Sequence, residues 1–173
     1  AALLRFLQAP PYPVPQRKPR EARPQPRARE RPVRRPRDSQ RSRVYRAEHG
    51  LPGGTTFPAL QDCRAYVDGV TASAWWRSRY PALPAVEVRD GRGSSRARAS
   101  TTAARISLPR GCRSQLVIFH ELAHLATPRT FAAHGPEFAS RYLEMVEHFM
   151  GAAPADALHR RFIEHRVRVG GVR

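Results

Sequence analysis

Between Leu116 and Ala126 the chain is apolar everywhere except at His120, Glu121 and His124. Apolar residues on nearly every side of a helical period predict a central, buried helix. A four-residue step on such a helix turns through about 400°, so His120 and His124 share a face, their Cβ atoms roughly 6 Å apart. Two imidazoles and a carboxylate inside a core are costly unless they are paired or bound to a metal. The spacing lets both rings reach one tetrahedral Zn²⁺ at about 2.0–2.1 Å. Glu121 is too close to the first ligand to join it, but is placed to take a proton from a water on the ion. The bland alternative is two hydrogen-bonded core histidines beside a surface Glu; the apolar setting favours the metal.

Two side chains leave such a site incomplete. Pro128 disfavours a helical Thr127, so the helix is expected to end there. Downstream, Gly135 and Pro136 mark a new helix start, with Pro at the first helical position where its missing N–H costs nothing. His134 therefore falls on a loop able to fold back over the ion and is the leading third ligand. Glu144 and Glu147, on the following helix, are the alternatives, in the manner of a thermolysin-like site. An astacin-like extension of the motif is excluded, because Thr127 and Thr130 stand where it needs Gly and His.

His120-Glu121-Leu122-Ala123-His124 followed by His134-Gly135-Pro136-Glu137-Phe138 resembles the active site of SprT-like zinc metalloproteases, the group that includes Spartan. The stretch from Arg37 to Glu48 also resembles the opening of a small group of uncharacterised metallohydrolases that share this site. The first resemblance covers about residues 115–150 and the second about 37–169. Together they imply His134 as the third zinc ligand, Glu121 as the catalytic residue and a zincin-like fold. They also imply that the strand just before the metal helix, about residues 103–108, is a sheet edge that accepts extended peptide by backbone pairing. An ordinary edge strand guarded by its arginines is the simpler reading of that segment. The connection between the second and third His is shorter than in Spartan, and no Cys cluster for an appended zinc ribbon is found. The resemblance therefore implies the hydrolytic core, not the DNA–protein crosslink repair known for Spartan.

Domain organisation follows from composition. Residues 1–36 alternate Pro with Arg and carry almost no aliphatic residue after Leu7. Such a segment cannot bury enough apolar surface to offset its chain entropy and is expected to be a disordered or polyproline II-like extension. Residues 37–169 form the expected metallohydrolase domain, and 170–173 a flexible C-terminus. Of the net charge of +17, residues 1–37 hold +9, from ten Arg and one Lys against Glu21 and Glu30. A flexible arginine arm of this kind can bind nucleic acid phosphates without reading sequence. Yet Lys18 is the single lysine among 31 basic residues, as a GC-rich coding sequence would produce. The opening Ala1–Leu7 stretch is too short and wrongly flanked for a signal peptide or membrane span, so a cytoplasmic location is the expectation. Cys63 and Cys112 are too few and too far apart for a disulfide framework and fit free thiols in a reducing compartment.

The remaining pattern predicts an α+β fold. Asp38 or Ser39 can cap a helix running to about Glu48. Leu60, Cys63, Tyr66 and Val67 predict a second helix broken at Gly69, and Ser73 opens a third through Trp75 and Trp76, whose ordinary role is core. Val86 and Val88, and then Ile106 and Leu108, alternate with polar residues as strands do, around a turn at Asp90-Gly91-Arg92-Gly93. Residues 96–100 are a weaker strand candidate. The expected core is thus N-terminal helices, a small mainly antiparallel sheet, the metal helix and two C-terminal helices. The last of these starts at Pro154, with Leu158, Phe162, Ile163 and Val169 inward.

This assembly implies a zinc-dependent metallohydrolase acting on a protein or peptide. Zinc would activate a water and polarise the carbonyl, with Glu121 as general base. Tyr142 and Arg141 are candidates, by proximity alone, for stabilising the oxyanion. A hydrolase of some non-peptide amide shares every residue named. A nucleic-acid-binding protein with a structural zinc would rest on the arginine arm instead.

Overall fold

The computed structural model describes residues 36–170, so the expected disordered arm and the last three residues lie outside the described part. Helices α1 (Arg41–Glu48), α2 (Leu60–Ala72) and α3 (Ala74–Arg79) precede strands β1 (Glu87–Asp90), β2 (Arg98–Ser100) and β3 (Arg105–Leu108). A short 3-10 turn at Arg110–Cys112 leads into α4 (Gln115–Ala126), followed by α5 (Pro136–Met150) and α6 (Ala152–Glu164). The class is α+β, as the sequence implies. No helix among the described residues is long and apolar enough to cross a membrane.

The sheet differs from the expected mainly antiparallel one. Its order is β1-β3-β2, with β1 parallel and β2 antiparallel to β3, so it is mixed. Val88 and Ala99 both pair across to Ile106, which is fully buried. The strand before the metal helix, β3, is therefore the central strand and not an edge. The edge beside it is β2, whose small and basic residues made it the weakest strand signal in the sequence.

Helix α4 packs against β2, β3 and α5, as its all-round apolarity requires. Ser114 caps its start by accepting from the Val117 amide, and Thr127 ends it. Ile118, Phe119, Leu122 and Ala123 are fully buried, alongside Phe138, Tyr142, Met145 and Val146 from α5. Pro136 takes the first position of α5 as expected. Gly151, at φ 96°, ends α5 and begins α6 in one residue, a left-handed conformation that favours glycine. Helix α6 thus starts two residues before Pro154, which sits harmlessly in its first turn, where a helix has no use for the missing N–H. Leu158 and Phe162 point inward, but Ile163 and Val169 are largely exposed, and Val167 takes the inward place after the helix. Trp76 is buried as expected, whereas Trp75 is half-buried and stacks on His148. Helix α2 runs straight through Gly69, where nothing lies within 4 Å of a would-be Cβ. The expected break fails because one glycine costs only about 1 kcal/mol, less than the burial of Val67 and Val70 on either side provides.

Helix α1 is short and polar, and its position is set by α6 and the segment after it. Arg161 donates to the carbonyls of Ala47, Arg46 and His49 at 3.3, 3.2 and 3.4 Å, closing the C-terminal end of α1. Gln40 exchanges two hydrogen bonds with the Arg168 backbone, at 3.0 and 3.1 Å. The N-cap of α1 is Gln40, with no side-chain cap bond, so neither Asp38 nor Ser39 caps it as expected. Asp38 is used elsewhere.

Candidate metal centre

His120 and His124 project from one face of α4, one turn apart, with their Nε2 atoms 3.1 Å apart. His134 stands in the turn before α5, where the Phe131 and Gly135 amides donate back to Pro128 and Ala132 at 3.0 Å each. One nitrogen from each of the three rings lies within 4.8 Å of the others. The three histidines are close enough to hold one metal ion. Around a tetrahedral zinc, imidazole nitrogens stand roughly 3.3 Å apart, so the 3.1 Å pair is already at ligand spacing.

The other ring nitrogens explain the orientation. His120 Nδ1 meets Glu48 Oε1 at 2.5 Å, and His134 Nδ1 meets Asp38 Oδ2 at 2.7 Å. Each carboxylate fixes its imidazole with N–H on Nδ1, leaving the Nε2 lone pair for a cation. His134 Nε2 is buried and has no hydrogen-bond partner among the described residues. A buried acceptor without a donor is costly, and a cation at the shared point removes that cost. The donor set and its surroundings fit a metal.

Burial and the nearby carboxylates act on these groups in different directions. His120, Glu121 and His134 are each 4 % exposed. Burial draws the His120 imidazole down, but the adjacent Glu48 carboxylate and its hydrogen bond outweigh this and leave it raised. Burial lowers His134, with Asp38 only partly offsetting it, which keeps that ring neutral as a ligand must be. Burial raises Glu121 to about 7, against the pull of His120 and with Glu48 adding to the rise. A carboxylate held near neutrality suits a group that must take up and release a proton.

The rivals for the third place lie elsewhere. Glu144 pairs with Arg79 at 2.9 Å, and Glu147 is exposed on α5. Neither proposed oxyanion donor opens on the cavities beside the histidines. Tyr142 is fully buried and donates to the Leu116 carbonyl at 3.1 Å, while Arg141 donates back to Glu137 O at 3.0 Å. Tyr142 packs its ring 5.6 Å from that of His120 from within the core, and Arg141 borders a separate cavity.

Helix α1 contributes what the sequence did not single out. Besides Glu48, and Asp38 just ahead of it, it places Tyr45 over the histidines. The Tyr45 ring stacks on His120 at 5.4 Å between centroids and lies 5.4 Å from the His134 ring. Burial, and then the Glu121 charge, raise the Tyr45 phenol above its ordinary value, so it keeps its proton. Two adjoining cavities, of about 700 and 630 Å³, open on the centre, and both are lined by Tyr45 and Glu121. His120 borders the first, His124 and His134 the second, and Arg98 and Ala99 of β2 form part of the wall. The sequence signals for α1 were a capped helix running to about Glu48 and a resemblance to the opening of another metallohydrolase group, and neither named a role for Tyr45 or Glu48.

No protein-family model, no curated protein and no solved structure matches this chain.

Proposed function

We propose that this chain is a zinc-dependent peptidase of SprT-like design, with His120, His124 and His134 as ligands and Glu121 as general base. The observation that carries this reading is the convergence of three imidazoles, two of them held by a carboxylate at Nδ1, beside the buried Glu121 at the floor of an open cleft. A bound zinc would supply a redox-silent Lewis acid that makes a water nucleophilic at neutral pH.

The chain's own residues supply the rest. Glu121 accepts the proton of the attacking water and passes it to the leaving amine, both transfers lying within reach of one buried carboxyl. Glu48 and Asp38 hold the His120 and His134 rings in one tautomer throughout. Tyr45, which keeps its phenol proton beside Glu121, takes the oxyanion-donor role in place of Tyr142 and Arg141. Strand β2, at the sheet edge and on the cleft wall, receives an extended peptide by backbone pairing, the role that resemblance had given to 103–108. We place the protein in the cytoplasm, where its two free cysteines stay reduced.

The test combines metal analysis with turnover. Purified protein should hold about one zinc per chain and cleave members of an unbiased peptide library, with both properties lost in His134→Ala. Absence of stoichiometric metal, with none taken up on titration, would overturn the proposal. Cleavage of small amides but of no peptide would move it to a non-peptide substrate.

A further inference from the structure

The charges that face the cleft do not balance. Its carboxylates are Asp38, Glu48 and Glu121, of which the first two are spent on histidine rings and the third is buried beside them. Its cations are Arg41 and Arg96, shared by both cavities, with Arg46 in the first and Arg98 in the second. The guanidinium carbons of Arg41 and Arg96 lie 5.7 and 5.8 Å from the centroid of the same Tyr45 ring, the ring that stacks on His120. Among the described residues none of these four arginines has a carboxylate within ion-pairing distance. Of the sixteen described arginines elsewhere, six pair with a carboxylate and ten do not, so what sets these four apart is their gathering on one cleft. Two exposed guanidinium forks gathered over one aromatic ring form a recognition surface for planar anions.

Resting on the peptidase reading above, we infer that the substrate is an acidic peptide segment, its Asp or Glu side chains taken by Arg41 and Arg96 as its backbone lies along β2. The sheet edge separates this from a nucleic acid: β2 lies on the cleft wall at the end of the sheet, and its free backbone N–H and C=O groups pair with another peptide backbone but not with a sugar-phosphate chain.

The experiment reads binding without turnover. Full-length Glu121→Gln protein, loaded with zinc, is titrated into fluorescein-labelled dodecapeptides that differ only in carrying Glu, Gln or Lys at two central positions, at about 0.15 M salt, where long-range attraction is screened. Two charge-assisted contacts of about 0.7 kcal/mol each predict roughly tenfold tighter binding of the Glu peptide than of the Gln peptide. Arg41→Gln with Arg96→Gln should reduce that preference to about twofold or less. Arg77→Gln with Arg160→Gln, equal in charge change but on exposed sites away from the cleft, should leave it intact. Equal binding of the three peptides, or equal loss in both double variants, would overturn the inference. So would a single-stranded oligonucleotide that outcompetes the Glu peptide and depends on the same two arginines. The peptidase reading fails separately, if wild-type protein binds the Glu peptide with this preference yet hydrolyses no peptide at all. Conversely, wild-type cleavage of Glu and Gln peptides with equal kcat/KM would keep the peptidase and remove the acidic specificity.

Discussion

Asp38 Oδ2 and His134 Nδ1 are 2.7 Å apart across 96 residues of chain, and Glu48 and His120 repeat the relationship at 2.5 Å across 72. One short helix and its lead-in thus orient two of the three proposed ligands, and the loop carrying His134 is pinned from outside its own element. Partners of this kind typically contribute about 10–100-fold to metal affinity. Asp38→Asn and Glu48→Gln should each weaken zinc binding by that factor while the fold persists. Competition against a chromophoric chelator measures it, with circular dichroism as the control for folding. Affinities equal to wild type would remove both carboxylates from the metal centre.

Glu121→Gln keeps the shape of the site and removes the proposed proton acceptor. Turnover should fall by at least about 10²-fold, the usual size of a general-base contribution, with stoichiometric zinc retained. Metal content and hydrolysis must be measured on the same preparation. Wild-type rates in the metal-loaded variant would show that another group carries the proton.

Two tyrosines near the centre should behave in opposite ways. Tyr45→Phe keeps the ring over His120 and His134 but loses the phenol on the cleft, so kcat should drop with KM, zinc content and stability little changed. Removing one oxyanion donor costs about 10²–10³ in kcat in well-studied cases. Tyr142→Phe loses a buried bond to the Leu116 carbonyl, which keeps the His120 amide as its helical partner, at about 0.5–1.5 kcal/mol of stability. Its kcat should be unchanged. Steady-state kinetics together with urea denaturation separate the two, and the reverse pattern would return the donor role to Tyr142.

The metal helix could be read from the sequence because local rules set it. Apolar residues all round α4, Ser114 ahead of it and Pro128 behind it fix both its burial and its ends. His134 was legible through Gly135-Pro136, a helix start that fixes the residue before it on a turn. Asp38, Tyr45 and Glu48 were not, because α1 is polar and owes its place to Arg161 and the Arg168 backbone, more than a hundred residues away. Strand pairing failed for a related reason. Alternation tells which residues of β3 face inward, but β2 offers only Arg98, Ala99 and Ser100, so nothing local says that it covers β3 and makes it central. Tyr142 and Arg141 were chosen by nearness in sequence, while a helix turns successive residues to different faces.

The buried Glu121 gives the metal-free protein a characteristic pH dependence. Its carboxyl is raised from 4.5 to about 7, chiefly by burial. Between those values an unfolded chain has lost the Glu121 proton while the folded protein still holds it. The folded state then binds more protons, so stability falls as pH rises through this window. Below it both states are protonated and the contribution is fully present; above it both are ionised and the contribution is gone. A shift of this size corresponds to at most about 3 kcal/mol. Glu121→Gln has no proton to lose, so in excess chelator its stability should overtake that of wild type progressively from pH 5 to pH 8. His120 and Glu121 act on each other, so the difference reports that coupled pair. Adding zinc should close the gap, because the ion favours an ionised carboxylate beside it. Urea unfolding at pH 5, 6, 7 and 8 measures the difference, and parallel curves for the two chelated proteins would mean that Glu121 is not the buried, raised carboxyl on which its role as base depends.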